Sequence, residues 1–503
     1  MVMTNAEHRA DLHRVDGREQ VVVALRPMNQ GETVEVDGVP LNVRNDVPQG
    51  HKIAVASIRA GDEVRKYGWP IGRAVRDIAA GEHVHAHNVT TALSGEESYA
   101  WTPLVHDAVA RMTAERTFDG FLRKSGRVGT RNEIWVLPTV GCVGRTAQKI
   151  ADAANARCQG RVEGVHAFTH PFGCSQLGDD LGNTRNILAA LAAHPNAGGV
   201  LLVGLGCENN QLDQLMAAAS GIDPDRVRSF SAQFASDEVE EGLALIDELV
   251  ARAETDRREP RPFSDLVIGL KCGGSDGFSG VTANPLVGRV ANLLADAGGT
   301  PVLTEIPEIF GAEHLLMARA ADQEVFEGVV SVVNDFKRYF LDHGQPVHEN
   351  PSPGNIAGGI TTLEEKSLGA VQKGGRSPVT QVLRYGQQVS KPGLALLEAP
   401  GNDAVSSTAL TAAGATVILF TTGRGTPMGF PAPTLKIASN SVLAERKRHW
   451  IDFDAGVVLD GMTLDEAAED LVAVILETAS GRPTRAEVNG EREIAIWKSG
   501  VTL

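Results

Sequence analysis

The sequence is poor in features that define whole classes of protein. It has 5 cysteines in 503 residues, 5% aromatic residues, and 47 basic against 63 acidic side chains, which gives a formal net charge of −16. A small, odd number of cysteines argues against a disulfide framework. The acidic balance repels nucleic acid and anionic membranes, so we expect neither as a partner. Every apolar run is shorter than the roughly 20 residues that a bilayer span needs, which predicts no transmembrane segment.

The remaining composition fits a large globular enzyme. Hydrophobic residues make up 42% of the chain and charged residues 22%. The N-terminal residues are polar and contain no apolar export segment, so we expect a cytoplasmic protein. In so acidic a chain, an anionic small-molecule substrate would need a local basic pocket.

Hydrophobic periodicity divides the chain into three folded regions. Short strands separated by glycine turns occupy residues 1–95 and predict a small all-β domain. A linker is predicted at 96–117. Strands alternate with amphipathic helices in 118–258 and, after a charged break, in 262–503, which predicts two α/β domains with mainly parallel sheets. A glycine-rich stretch at 350–375 is too long for an ordinary connection, so we expect it to be functional or disordered.

Most of the cysteines follow predicted buried strands. The four are Cys142, Cys174, Cys207 and Cys272. Because ligands bind beyond the carboxyl ends of parallel strands, we predict that these thiols meet in one metal site. Thiolates favour iron, zinc or an iron–sulfur cluster over calcium or magnesium. Burial as a small hydrophobe is the alternative, and Cys158 lies inside a predicted helix.

A rival set of metal ligands lies in the N-terminal region. In the segment HVHAHN, strand alternation places His83, His85 and His87 on one face. Neutral imidazole is a common metal ligand. A polar strand face without a metal is the alternative.

Charged residues near the predicted strand ends supply candidates for substrate binding and proton transfer. A basic segment ends at Arg131, and guanidinium groups match carboxylate geometry, although a solvated loop explains this segment equally well. We assign substrate binding to Arg131, Asn132, Lys366 and Arg424, and proton transfer to His170 and Asp276. Strand-end carboxylates that position alone cannot rank are Glu208, Glu305, Glu308 and Asp403.

Several motifs together carry a resemblance to a known family. The segments GLGCENN, CGGSDGFSG, GNIAGGITTLEEKSLG and the terminal KSGVTL resemble the altronate and galactarate dehydratase family. The segments GHKIA, KYGWPIG and HVHAHN resemble the N-terminal SAF (β-clip) domain of that family. The resemblance covers nearly the whole chain. Two positions depart from it, since Ser125 stands where many relatives have aspartate and Phe172 where they often have tyrosine.

The resemblance implies a hydro-lyase that converts D-altronate to 2-dehydro-3-deoxy-D-gluconate and water in hexuronate catabolism. Galactarate dehydration and sulfolactate cleavage are the alternatives within the family, and non-catalytic binding of a sugar acid is a further one. The resemblance also implies Fe(II) or Mn(II) as cofactor, with an iron–sulfur cluster as the alternative, and we expect a homo-oligomer. Such a reaction needs a base for the C2 proton and an acid or Lewis acid for the leaving C3 hydroxyl.

Overall fold

The structure is a computed structural model that describes residues 11–104 and 116–503. Residues 105–115, which make up half of the predicted linker, lie outside the described residues, as do residues 1–10. The described chain forms an N-terminal β domain, a middle α/β domain and a C-terminal α/β domain. The predicted fold class is therefore confirmed.

Short antiparallel strands form the N-terminal domain: β1 (Leu12–His13), β2 (Val21–Ala24), β3 (Thr33–Val36), β4 (Val39–Asn42), β5 (Lys52–Ala54), β6 (Glu63–Lys66), β7 (Trp69–Ala74), β8 (His83–Val84) and β9 (Val89–Thr90). Their sheet orders are β1-β2-β5-β8, β3-β4 and β6-β7-β9. Strand β2 is buried along its whole length, because apolar residues cover both of its faces.

The middle domain alternates strands and helices: β10 (Thr117–Leu122), β11 (Val128–Gly129), β12 (Glu133–Pro138), α1 (Gly144–Arg157), β13 (Val165–Ala167), α2 (Gly178–Ala192), β14 (Ala197–Gly204), α3 (Leu212–Ala218), β15 (Val227–Ser231), α4 (Glu238–Ala253) and β16 (Glu259–Pro262). A parallel sheet has the order β13-β12-β14-β15, and β10 pairs with β11 and β16 beside it.

Alternation along β12 places apolar side chains on both faces of this parallel sheet. Ile134 and Val136 pack with α1 and α4, whereas Trp135 and Leu137 pack with α2. The second of these clusters also contains Leu410 of the C-terminal domain. The two α/β domains therefore share one apolar core.

The C-terminal domain contains the following strands and helices: β17 (Val267–Cys272), α5 (Ala283–Asp296), β18 (Thr300–Leu303), α6 (Glu313–Met317), α7 (Gln323–Asp342), α8 (Pro353–Ala357), α9 (Leu363–Ala370), β19 (Val379–Leu383), β20 (Leu394–Leu397), α10 (Asp403–Ala412), β21 (Val417–Thr422), β22 (Thr434–Ala438), α11 (Ser441–Arg446), β23 (Phe453–Asp454), α12 (Leu464–Ala479) and α13 (Arg485–Val488).

These strands form a parallel sheet with the order β19-β20-β18-β17-β21-β22-β23. The chain leaves β17 towards β18 on one side, and later enters β21 on the other side. The order thus reverses at β17, and ligands of open α/β sheets bind outside the carboxyl ends of the strands at such a point.

The glycine-rich stretch at 350–375 is not a plain loop, because it contains α8 and α9. Ser352 caps α8 with a reciprocal capping box, and the Thr362 side chain accepts a hydrogen bond at the start of α9. Helix α9 is buried along its length, with Leu363 and Leu368 in the core. Within the described residues, no helix is long and apolar enough to cross a membrane.

Candidate active site

A cavity of about 860 Å³ lies at the carboxyl ends of the central C-terminal strands. Its wall includes Gly273 and Gly274 after β17 and Asp403 at the start of α10. It also includes Glu308 after β18, Asn350 just before α8, and Lys366 in α9. Apolar side chains of α7 line another part of the wall. The sheet order alone places a ligand crevice at this position.

Cys272 ends β17 and lies beside two charged side chains. Its Sγ atom is 2.8 Å from Nζ of Lys373 and 3.5 Å from Oε2 of Glu308. Burial and the charge of Glu305 raise the pKa of the Cys272 thiol to about 12, against the opposing effect of Lys373. The thiol is therefore protonated at neutral pH.

The residue before it, Lys271, is fully buried and is held between two carboxylates. Its ammonium contacts Glu305 and lies 2.9 Å from Oδ1 of Asp403. Burial alone would lower the pKa of Lys271, but the charges of Glu305 and Asp403 outweigh it and raise the pKa. Glu305 has a left-handed backbone (φ 68°), a conformation that costs a non-glycine residue roughly 1–2 kcal/mol. This strained residue also accepts a 3.0 Å hydrogen bond from the Cys272 amide.

Lys366 of α9 meets Glu308 on the cavity wall. Its ammonium donates to Oε1 of Glu308 at 2.8 Å and to Oδ1 of Asn350 at 3.0 Å. Burial alone would raise the pKa of Glu308, but Lys366 and Lys271 hold it well below the usual range. The cavity wall therefore carries an ammonium that is paired with an ionised carboxylate.

One residue of the cavity wall, Glu308, belongs to a possible metal-binding set. Among the described residues, Cys272, Glu305 and Glu308 have ligand atoms within 4.8 Å of one another. Each of them already contacts an ammonium group, from Lys373, Lys271 or Lys366. A divalent cation would have to displace these charges, so the set as arranged fits a cation poorly.

The predicted histidine site lies where the N-terminal domain meets the α8–α9 segment. His51, which the sequence analysis missed, has Nδ1 3.1 Å from Nε2 of His83. The ring centroid of His83 is 5.6 Å from that of His85 and 5.3 Å from that of His87. Burial lowers the pKa of His83 to about 3 and that of His85 to about 4, so both rings are neutral at pH 7.

Comparisons with known proteins match all three domains. Family models for the SAF domain of altronate and galactarate dehydratases, for the second domain of D-galactarate dehydratase and altronate hydrolase, and for the C-terminal domain of D-galactarate and altronate dehydratases match residues 11–92, 120–254 and 263–502. The chain belongs to the altronate and galactarate dehydratase family.

Relatives within this family resemble the chain over nearly its full length. An altronate dehydratase of Bacillus subtilis (strain 168) and one of Escherichia coli (strain K12) are each 50% identical to it, over 97% of this chain and 99% of theirs. A galactarate dehydratase (L-threo-forming) of Escherichia coli (strain K12) is 34% identical over 88% of each chain.

The structure separates the cysteines that were predicted to form one dehydratase metal site. Cys272 is buried in the C-terminal sheet, whereas Cys142, Cys174 and Cys207 are exposed in the middle domain. Among the described residues, the ligand atoms that converge with Cys272 are carboxylates rather than thiols. The prediction of one site made from all four cysteines is therefore wrong, because the strands that carry them belong to two different sheets.

Two of the predicted substrate-binding residues are structural. Arg131 is buried and forms two hydrogen bonds with the Glu487 carboxylate, at 2.7 and 2.9 Å. It also donates to the Thr478 carbonyl at 2.8 Å. Asn132 is buried and donates to the Ala253 carbonyl at 2.9 Å. Both fix the middle domain in place, and neither lines the cavity.

The other two predicted substrate-binding residues lie at the cavity. Lys366 is on its wall. Arg424 is exposed and donates a 3.3 Å hydrogen bond to the Gly354 carbonyl, in the same helix as the wall residue Asn355. Their role in substrate binding stays a prediction.

The two residues predicted to transfer protons are both committed to other contacts. His170 is buried in the middle domain, where Nε2 lies 2.8 Å from the Pro138 carbonyl and Nδ1 accepts from the Phe172 amide at 3.2 Å. Asp276 accepts hydrogen bonds from Ser439 at 2.8 Å and Asn440 at 3.0 Å. Both side chains hold neighbouring groups in place through these hydrogen bonds, and the two residues lie in different domains.

The sequence analysis missed Lys271, Lys373 and Asn350, besides His51. Lys271 directly precedes Cys272 at the end of a predicted strand, and this position is the sequence signal that could have identified it. Asn350 and Lys373 lie at opposite ends of the glycine-rich stretch, and only folding brings Asn350 to the cavity wall and Lys373 to Cys272.

Proposed function

We propose that this chain dehydrates D-altronate to 2-dehydro-3-deoxy-D-gluconate in the cavity of the C-terminal domain. The observation that carries the proposal is the pairing of Lys366 with Glu308 on the wall of that cavity, at the carboxyl end of the central strand. The 50% identity with two altronate dehydratases over nearly the full length supports the choice of substrate.

Lys366 and Asn350 are suited to hold the substrate carboxylate. The ammonium of Lys366 supplies charge, and the amide of Asn350 supplies a further donor beside it. Both already bind the Glu308 carboxylate, at 2.8 Å for Lys366 and 3.4 Å for Asn350. A substrate carboxylate entering the cavity would compete for the same donors.

Asp403 is the best-placed base for the C2 proton. Its side chain is 34% exposed and lines the cavity, whereas that of Glu308 is 6% exposed and is bound to Lys366. Lys271 holds the Asp403 carboxylate at 2.9 Å and so orients it. A base needs access to the carbon acid as well as a fixed position. After it takes the C2 proton, the Asp403 carboxyl can return that proton to the departing C3 hydroxide, so that water leaves and the enol rearranges to the 2-keto acid.

Iron is the cofactor that we propose, and the cysteine and carboxylate set beside the cavity, as arranged, fits it poorly. A single Fe(II) or Mn(II) ion fits Cys272, Glu305 and Glu308 poorly, because each contacts an ammonium group. The rings of His83 and His85 are neutral, but no three described imidazole nitrogens lie within 4.8 Å of one another. His85→Ala tests the histidine alternative, since loss of bound metal in that variant would favour it.

The proposed reaction is tested by assaying purified protein with D-altronate, galactarate and sulfolactate for 2-keto acid formation. We expect product from altronate and little from the other two acids. Asp403→Asn is expected to lower kcat with KM nearly unchanged. Binding of altronate without keto acid formation would overturn the proposal and favour a binding protein.

Galactarate is the second candidate substrate, because a galactarate dehydratase is 34% identical over 88% of the chain. A higher kcat/KM for galactarate than for altronate would select it. We also propose a cytoplasmic location, which three exposed free thiols support, since thiols persist in reducing compartments. A homo-oligomer stays a prediction.

A further inference from the structure

Three exposed cysteines lie beyond the carboxyl ends of the strands of the parallel sheet in the middle domain. Cys174 follows β13, Cys142 follows β12 and Cys207 follows β14, and these three strands are neighbours in the sheet. Neighbouring strands are about 4.8 Å apart, so their carboxyl ends bring the three loops to one place. The catalytic proposal for the cavity uses none of these thiols.

Hydrogen bonds join the three cysteine loops into one unit. The Gly141 amide donates to the Phe172 carbonyl at 2.8 Å, which ties the Cys142 loop to the Cys174 loop. The Asn210 amide donates to the Gly173 carbonyl at 3.0 Å, which ties the Cys207 loop to the Cys174 loop. The Asn210 side chain also donates to the Thr139 carbonyl at 3.2 Å.

The glycine before Cys174 makes this close approach possible. Gly173 has a positive φ of 101°, and a Cβ atom at this position would lie 2.1 Å from the Thr139 carbonyl oxygen. Any other residue would push the Cys174 loop away from the end of β12. The sequence thus fixes the Cys174 backbone against its neighbouring loop.

The three thiols, as placed, do not form a site for one shared ion. Two sulfurs that bind the same ion at about 2.3 Å cannot be more than about 4.6 Å apart. Among the described residues, the three thiols do not form a set of ligand atoms within 4.8 Å of one another. A fourth ligand from His170 is also missing, since backbone groups occupy both of its ring nitrogens.

We infer that Cys142, Cys174 and Cys207 bind an iron–sulfur cluster. A cluster spreads its protein ligands over several iron atoms, so thiols on three neighbouring loops can each bind a different iron, and thiolates are its usual protein ligands. Three thiolates on a four-iron cluster leave one iron free for an oxygen ligand. Helix α1 begins two residues after Cys142 and α2 four residues after Cys174, so two positive helix ends face this anionic group.

This inference goes beyond the proposed dehydration, and the two proposals fail separately. Full altronate turnover by protein that contains neither iron nor sulfide would overturn the cluster and leave the reaction intact. A cluster-loaded protein that forms no keto acid would overturn the reaction and leave the cluster intact.

The test is to purify the full chain without oxygen, reconstitute it with iron and sulfide, and measure both elements together with absorption and electron paramagnetic resonance. We expect about four iron and four sulfide per chain, with a sulfur-to-iron charge-transfer band near 400 nm. Cys142→Ser, Cys174→Ser and Cys207→Ser should each lose most of the iron. Cys158→Ser is the matched control, because Cys158 is buried at the end of α1 and should leave the cluster intact.

A measurement on the unmodified chain covers the case in which the serine variants do not fold. The three exposed thiols should resist iodoacetamide in the loaded protein and react at least tenfold faster after iron is removed with a chelator. The inference is overturned by bound zinc in place of iron, by iron without sulfide, or by equal alkylation of the loaded and stripped proteins.

Discussion

Lys66 and Glu365 form a 2.9 Å ion pair that joins the N-terminal domain to helix α9. Lys52 lies 2.9 Å from the other oxygen of the same carboxylate, and all three side chains are buried. Burial alone would raise the pKa of Glu365, but the two ammonium groups lower it to about 2. Because Glu365 directly precedes Lys366, the ion pair that joins the N-terminal domain to α9 is adjacent in sequence to a residue of the cavity wall.

Glu365→Gln should therefore destabilise the protein strongly. It leaves two buried ammonium groups without their shared carboxylate, and breaking a buried ion pair costs about 3–5 kcal/mol. Urea unfolding followed by circular dichroism measures the change. Glu445→Gln removes the same charge from an exposed helix position and should shift the midpoint little. Equal midpoints for the two variants would contradict this account of the domain interface.

The lowered pKa of Glu365 predicts that the stability of the folded protein depends on pH. The pKa of Glu365 is lowered in the folded protein, so its contribution is complete above the ordinary glutamate pKa of about 4.3. It is lost as the pH falls from there towards 2. The Tm difference between the wild type and Glu365→Gln should be constant from pH 7 to pH 5 and narrow at pH 3. A Tm difference that widens in acid would contradict the expected loss of the ion pair's contribution to stability at low pH.

Lys366→Gln should weaken altronate binding if Lys366 holds the substrate carboxylate. A hydrogen bond to a charged group contributes roughly 1.5–3 kcal/mol, which corresponds to about a 10–150-fold rise in KM. Steady-state kinetics measure KM and kcat separately. Lys149→Gln, on the exposed surface of α1, is the control and should keep the wild-type KM. An unchanged KM in Lys366→Gln would move substrate binding elsewhere.

Arg131→Ala distinguishes a structural role from the substrate-binding role that the sequence suggested. The variant leaves the Glu487 carboxylate buried without its bidentate partner, so we expect a loss of about 3–5 kcal/mol in the free energy of unfolding. KM for altronate should stay unchanged at a temperature where the variant is folded. A large rise in KM with normal stability would restore the original assignment.

Cys272 should be unreactive in the folded protein. Its thiol is buried with a pKa of about 12, and thiolates rather than thiols react with iodoacetamide. In metal-free protein at pH 8, peptide mapping by mass spectrometry should find Cys207 alkylated long before Cys272. Comparable labelling in urea serves as the control, and comparable labelling without urea would contradict the burial of Cys272.

Much of the architecture followed from the sequence because hydrophobic periodicity reports local structure directly. The continuous apolar run before Cys207 became a fully buried parallel strand, as expected for a strand covered on both faces. Lys366 was expected in a functional or disordered segment, because a long glycine-rich stretch between α/β elements is rarely an ordinary connection. The structure places Lys366 on the cavity wall, and its role in substrate binding stays a prediction. The sequence pattern did not predict the helices of that segment, because α9 is buried on all sides and therefore shows little amphipathic periodicity.

The chain by itself determined which residues end the buried strands, and therefore which side chains are near a ligand crevice. The tertiary structure decided which of them meet. Cys272 and Cys207 belong to similar apolar strand patterns, yet Cys272 is buried beside Lys373 whereas Cys207 is exposed after a strand of another sheet. Likewise, Arg131 and Lys366 are both cations near strand ends, but Arg131 is neutralised by Glu487, which is distant in sequence. Local sequence sets strand and helix, whereas pairing between distant charges depends on sheet order and on how the sheets pack.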